Sequence, residues 1–148
     1  MIEVIRMGSH VIYEWIYVAV VVSILIWVGA EAWYGEKLIH EVPKNHETIK
    51  VFGQQWFWTF EHQDGTREVG QLTLKAGHIY KFEVTSKDVI HAFNIPEFAV
   101  MMDAVPGRIN TIWVKIPEDA AAGEYLIQCR EYCGLLHYNM RAKLIVTA

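Results

Sequence analysis

Cys129, Cys133, His137 and Met140 fall within twelve residues, and Glu131 sits between the two thiols. Both cysteines of the chain are spent in this stretch. Thiolate and thioether sulfur beside imidazole suits copper, whereas calcium and magnesium take oxygen ligands. Three plainer uses of the same residues compete with a copper pair. A Cys129–Cys133 disulfide would close a very short loop, stabilise little through chain entropy, and leave His137 and Met140 without a role. Structural zinc takes four Cys or His ligands in a closed tetrahedron, which these residues and one distant histidine would satisfy. A mononuclear blue-copper site uses one thiolate, two histidines and a weak axial methionine, so this chain carries one thiolate too many. Two copper ions sharing two bridging thiolates, each completed by one histidine and one weak ligand, would use every group.

That arrangement requires a second histidine from elsewhere. His10, His40, His46, His62 and His78 sit in polar or connecting contexts that read as surface. His91 differs, because it follows Thr85-Ser86-Lys87-Asp88-Val89-Ile90 and precedes Ala92-Phe93 at the end of a predicted strand. A lone histidine there is more often a satisfied half-buried residue than a ligand. The downstream cluster makes it a candidate.

The elements that must position these groups read as short strands. Tyr80, Phe82 and Val84 alternate with Lys81 and Glu83, and Ile112, Val114 and Ile116 alternate with Trp113 and Lys115. Such period-2 patterns mark half-buried strands. Tyr125, Ile127 and Cys129 share a face, so the first cysteine leaves from a strand end, and Ala142, Leu144 and Val146 form a last strand. Residues 48–52 and 55–61 are also strand-like, the second run unusually aromatic. Asp64-Gly65 offers the positive-φ residues of a tight hairpin. Several short strands with turns between them predict a β-sandwich or barrel.

The 148 residues are 53% hydrophobic, and the excess lies near the N-terminus. Residues 15–30 carry no charge. As a helix they reach about 24 Å, against roughly 30 Å of membrane hydrocarbon. Tyr13, Trp15, Trp33 and Tyr34 are aromatics of the interfacial type, which places Glu14, Glu31 and Glu36 at the headgroups. A cleaved signal peptide is the competing reading, since Ala30-Glu31-Ala32 imitates a cleavage site, but the apolar run is longer than a usual signal core. A buried soluble helix would need a polar stripe that Ser23 alone does not supply. The expected organisation is an N-terminal tail and transmembrane helix over 1–36, a linker with Pro43 and Asn45 over 37–47, and a β domain over 48–148. Lys37 and Lys44 against Arg6 leave orientation undecided by charge. Net charge is −4, so no basic field points to nucleic acid.

The string Cys129-x-Glu131-x-Cys133-x-x-x-His137-x-x-Met140 resembles the dinuclear CuA site of cytochrome c oxidase subunit II. Gly53-Gln54-Gln55-Trp56-Phe57-Trp58-Thr59-Phe60-Glu61 is similar to the aromatic segment of that family. Thr85 to His91 resembles its first-histidine strand, and Asp103-Ala104-Val105-Pro106-Gly107-Arg108 the turn that follows. The resemblance implies a mainly β, cupredoxin-like Greek-key barrel with one N-terminal transmembrane helix. It implies copper ligation by His91, Cys129, Cys133, His137, Met140 and the backbone carbonyl of Glu131. Trp56 takes the place of the tryptophan that receives electrons from cytochrome c, although alternating strand aromatics are more often core. In many relatives the Glu131 carboxylate reaches a magnesium ion at the boundary with subunit I.

The function implied is electron transfer from cytochrome c to haem in subunit I of a terminal oxidase, with oxygen reduction in that partner. The alternative is the CuA subunit of a nitric oxide or nitrous oxide reductase. A copper-delivery protein, or a zinc- or disulfide-stabilised binding module, belongs to other classes. The expected location is a prokaryotic plasma membrane, crossed once, with the copper domain on the periplasmic face. One short span resembles the compact form found in B-type haem–copper oxidases, yet Trp56 and Glu131 are kept where some of that group lack them. The apolar run Phe98-Ala99-Val100-Met101-Met102 is an expected docking patch for cytochrome c.

Overall fold

The computed structural model describes residues 9–148, so the part that Arg6 and the preceding tail were given lies outside the described residues. The chain divides into two units between Glu41 and Val42. In the first, helix α1 runs Ser9–His40, past residue 36 and into the segment read as linker. Glu36, Lys37 and Leu38 have ordinary helix propensity, and the helix stops ahead of Pro43, which disfavours helical backbone in the residue before it. Lys37 and His40 stand in the last turn, where positive charge offsets the carbonyl end of the helix dipole. The 32 residues reach about 48 Å, so the short uncharged stretch is lengthened at both ends. The helix is long and apolar enough to cross a membrane, and none of its described side chains is buried.

Among the described residues the second unit contains ten strands: β1 (His46–Gln54), β2 (Phe57–Glu61), β3 (Arg67–Val69), β4 (Gln71–Lys75), β5 (Ile79–Ser86), β6 (His91–Ile95), β7 (Val100–Ala104), β8 (Asn110–Lys115), β9 (Gly123–Cys129) and β10 (Arg141–Thr147). They form two five-stranded sheets, ordered β3-β2-β1-β5-β8 and β4-β10-β9-β6-β7. The pairs β1–β5 and β4–β10 are parallel, and the remaining pairs are antiparallel. This is the mainly β, two-layer architecture that the residue alternation and the family resemblance imply.

The alternation converts directly into a core. Tyr80, Phe82 and Val84 of β5, Trp58 and Phe60 of β2, and Ala142, Leu144 and Val146 of β10 all point inward and are buried. Phe93 of β6 closes the centre, with ring centroids 5.5 Å from Trp58, 6.1 Å from Phe60 and 5.3 Å from Phe82, each edge to face. Edge-to-face packing lets the positive rim of one ring meet the negative face of another. On β8 the alternation is weaker: Ile112 and Val114 are half-buried in this outer strand, and Ile116 is fully buried just beyond it.

Three expectations change. The aromatic run does not begin as a strand at Gln55: Gln54 pairs with Phe57, and Gln55-Trp56 make the two-residue turn between β1 and β2. The segment 98–102 is neither a loop nor an apolar patch. Pro96–Phe98 form one 3₁₀ turn, Ala99 is left-handed at φ 52°, and the rest enters β7. Val100 is buried, Phe98 packs on Tyr125 at 5.3 Å, and Met101 is the one large side chain of the run left exposed. That removes the basis for an apolar docking patch there. Asp64 also acts otherwise than expected. Gly65 alone takes positive φ, at 86°, while the Asp64 carboxylate accepts the Thr66 amide at 2.8 Å, the ordinary side-chain turn of aspartate.

Candidate metal centre

Neighbouring strands bring the distant histidine to the cysteine. His91 opens β6, Cys129 ends β9, and Phe93 lies opposite Cys129 in their register. Residues 130–140 then form a loop between β9 and β10. It is closed by the Cys129 amide donating to the Met140 carbonyl at 3.0 Å and anchored by the Arg130 amide on the Ala92 carbonyl at 3.0 Å. Within it the His137 amide donates to the Gly134 carbonyl at 3.0 Å, which turns the chain back toward β10.

The donor atoms converge in two similar halves. The two sulfurs are 3.8 Å apart, nearly twice the about 2.05 Å of a disulfide, and both thiols are free. Cys129 Sγ lies 3.9 Å from His91 Nδ1 and 3.2 Å from the Glu131 carbonyl oxygen. Cys133 Sγ lies 3.5 Å from His137 Nδ1 and 3.6 Å from Met140 Sδ. Each thiol thus has an imidazole and a weak donor beside it. The ligand atoms of His91, Cys129 and Cys133 lie within 4.8 Å of one another, and all three residues are buried. Met140 is buried too, and its sulfur faces the thiol where packing alone would need only a hydrocarbon. A donor set of two thiolates, two imidazoles, a thioether and a carbonyl fits copper. A four-ligand zinc tetrahedron would leave the last two idle.

The thiols differ electrostatically. Burial opposes ionisation of Cys129, but hydrogen bonds from His91 and from the Ala92 and Glu131 backbone outweigh it and bring the thiol down to about 6. Cys133 is pushed up to about 12 by burial and by the neighbouring Cys129 thiolate. Cys129 therefore ionises more readily than Cys133, and loading both sulfurs with metal must displace a proton.

Asp88 organises the first histidine. Its Oδ1 accepts His91 Nε2 at 2.8 Å and the Val89 amide at 2.7 Å, and its Oδ2 accepts the Gln55 amide at 2.7 Å. Burial raises the carboxyl's pKa, but these donors lower it more, so Asp88 is held below the ordinary range. For His91, burial disfavours the cation, while Cys129 and Asp88 favour it and raise the pKa overall. With Nε2 bound to Asp88, Nδ1 is the nitrogen left facing Cys129, the usual carboxylate–histidine support of a metal ligand. The Ser86 hydroxyl donates to the Val89 carbonyl and tightens the same turn.

Gly53 leaves room for that ring. A Cβ there would stand 2.9 Å from His91 Cδ2 and 3.1 Å from Trp58. Gly53→Ala must therefore displace the buried His91 ring. We expect copper affinity to fall by roughly tenfold and stability by about 1–3 kcal/mol, read by copper titration and thermal unfolding of the full chain.

Residues singled out from sequence fall in two groups. His91, Cys129, Cys133, His137, Met140 and the Glu131 carbonyl are brought together. Trp56 is half-buried at the hairpin turn, and its indole Nε1 donates to the Cys133 carbonyl at 3.2 Å. The Glu131 side chain is exposed. Sequence reasoning missed Asp88, Gln55 and Gly53. Asp88 stands three residues before His91, and a carboxylate at that spacing was the available signal. His62, read as surface, is mostly buried, with Nδ1 3.1 Å from Glu47 and Nε2 3.9 Å from Glu68.

The family model for the cytochrome c oxidase subunit II periplasmic domain matches residues 67–147, more than half of the chain. The chain belongs to that family. The heme-copper oxidase subunit 2 of Aeropyrum pernix is 40% identical over 101 residues, 66% of this chain and 43% of that one. The crystal structure of the subunit II periplasmic domain from Bradyrhizobium japonicum superposes with a TM-score of 0.66 at 32% identity, covering 72% of this chain and 88% of that one. A chain of a heme-copper terminal oxidase dimer shares the fold at TM-score 0.58 and 19% identity, covering 92% of this chain and 99% of that one. The chain spans about half the length of the curated subunit II relatives it matches.

Proposed function

We propose that this chain is the electron-accepting subunit of a haem–copper oxidase and holds a dinuclear copper centre on His91, Cys129, Cys133, His137, Met140 and the Glu131 carbonyl. The observation that carries the reading is the paired geometry: two free buried thiols 3.8 Å apart, each with an imidazole and a weak donor beside it. When bound, a copper pair of this kind accepts and releases one electron spread over both ions. The protein's part is to keep the ligands still and dry. Strand ends fix His91 and Cys129, Asp88 fixes the imidazole, and Met140 and Cys133 are shielded by the core.

Trp56 offers the route in. Its indole is bonded to the Cys133 peptide, so an electron passes from the ring through one hydrogen bond and a few covalent bonds to the thiolate sulfur. The donor is reduced cytochrome c, whose ferrous haem becomes ferric, and the acceptor is haem in a multi-span partner subunit where oxygen is reduced. Helix α1 crosses the prokaryotic plasma membrane once, with the copper domain on the periplasmic side. The Glu131 side chain is exposed, as binding a magnesium ion at a boundary with the partner subunit would require. The relatives' names as oxidase subunits favour this over a nitric oxide or nitrous oxide reductase.

Electron paramagnetic resonance of the copper-loaded chain tests the site. An unpaired electron shared by two copper nuclei supports it, and a single-copper spectrum or a silent zinc protein defeats it. Trp56→Phe tests the route. Losing the indole donor should slow electron uptake from cytochrome c by about tenfold, or about 1.4 kcal/mol of barrier, with the copper spectrum retained. Unchanged stopped-flow reduction rates would place the route elsewhere.

A further inference from the structure

Gln55 uses both of its polar ends. Its backbone amide donates to Asp88 Oδ2 at 2.7 Å, and its side-chain Nε2 donates to the Cys133 carbonyl at 2.7 Å. The second contact is shorter than the 3.2 Å bond that the Trp56 indole makes to the same oxygen. Asp88 in turn holds His91 Nε2. A continuous hydrogen-bonded path therefore runs from the His91 ring, through Asp88 and Gln55, to the Cys133 peptide and the Trp56 indole. It joins the His91 side of the site to the Cys133 side.

The close approach depends on Gly134. At φ +114° it occupies backbone that other residues rarely adopt, and a Cβ there would stand 2.9 Å from Gln55 Nε2 and 3.4 Å from the Trp56 ring. The hairpin tip and the ligand loop thus meet over a single carbonyl. A carbonyl oxygen has two lone pairs, and here each takes one donor. The indole bond alone is long and, at a half-exposed surface, open to competition from water. The shorter amide bond fixes the carbonyl's direction and so the side from which the indole can reach it.

We infer that Gln55 is a positioning residue that seats the Trp56 indole on the Cys133 carbonyl and thereby sets how fast electrons enter. The inference rests on the proposed route through Trp56. The step it governs moves one electron from ferrous haem toward the copper pair, and no bond or proton changes hands. Its size follows from geometry, since misplacing a reacting group by about 1 Å costs up to about a hundredfold in rate.

Gln55→Met keeps the length of the side chain and deletes the donor. In the metal-free full chain, the Trp56 indole N–H resonance should shift toward that of a solvent-exposed indole and lose its exchange protection, with the thermal midpoint nearly unchanged. In the copper-loaded full chain, reduction by cytochrome c in stopped flow should slow by roughly tenfold to a hundredfold, with the two-copper spectrum kept. Gln55→Lys, which restores a donor, should recover part of the rate. Unchanged indole resonance and rate would overturn the inference. So would equal losses of midpoint, copper binding and rate, which would make Gln55 a general brace. If Gln55→Met fails to fold, Gln55→Glu decides by the same two readouts. If Trp56 is not the route, Trp56→Phe leaves the rate unchanged while the indole resonance still responds to Gln55. The two failures are therefore distinguishable.

Discussion

Cys133→Ser is expected to abolish the shared-electron copper signal while the β domain stays folded. Cys133 Sγ faces Cys129 Sγ, His137 Nδ1 and Met140 Sδ at 3.8, 3.5 and 3.6 Å, so three of the converging donors meet at this one atom. A serine hydroxyl ionises far less readily than a thiol and is a hard oxygen donor, so it cannot serve as the second bridge. What remains is Cys129 with His91, His137, Met140 and the Glu131 carbonyl, one thiolate with two imidazoles and weak donors, which is a site for one ion. Copper per chain should fall from two to one or none, and the spectrum should lose the hyperfine pattern of two nuclei. The metal-free stability cost is smaller. The hydroxyl fits the volume and can hydrogen-bond His137, so the loss should be about 1 kcal/mol, measured as the unfolding midpoint without metal. A serine variant that still binds two coppers with a shared electron would refute the bridging role. A collapse of the metal-free fold would instead show that the thiol is chiefly a packing group.

The string from Cys129 to Met140 stood out because its chemistry resides in residue types at local spacing, and the fold brings those side chains together. Strand alternation also read correctly where one face is buried, as in β5 and β10, and the same alternation puts Cys129 at the end of a strand. His91 needed the downstream cluster to distinguish it from an ordinary half-buried histidine, and its strand pairing with the Cys129 strand is a long-range fact. The turn at Gln55-Trp56 was hidden because it contains no Gly, Pro, Asn or Asp, the usual markers, and because it interrupts an aromatic run that otherwise reads as one strand. Gln55 and Gly53 act across elements, through a carbonyl and an empty space, and no local pattern encodes such contacts. Asp88 differs, since its place three residues before His91 was a local signal. The extent of α1 was underestimated because the charged residues after 30 end the apolar run without ending the helix.

Phe93→Ala should produce the largest loss of stability in the domain and weaken the copper site along with it. Phe93 is fully buried and comes from the second sheet, while the three rings it meets, Trp58, Phe60 and Phe82, come from the first. Truncation removes the group that joins the layers and leaves a cavity lined by rigid aromatics that cannot easily collapse. The cost should be about 3–5 kcal/mol, out of the about 5–15 kcal/mol that a domain commonly has. For a domain of about 100 residues that lowers the midpoint by at least about 12 °C. Phe93 also follows His91 by two residues and lies opposite Cys129 in register, so the cavity opens beneath a candidate ligand from each strand. Copper that binds the folded chain more tightly than the unfolded one raises its midpoint by linkage. If the aromatic cluster holds the ligands in place, that rise should be smaller in Phe93→Ala than in the parent. Leu74→Ala is the control. Leu74 pairs with Val146, which pairs with Gly123 at the start of β9, six residues or about 20 Å along the strand from Cys129. It should cost about 2–5 kcal/mol yet leave the copper-induced rise intact. Equal rises in all three chains would show that the ligand loop is positioned independently of the core beneath it.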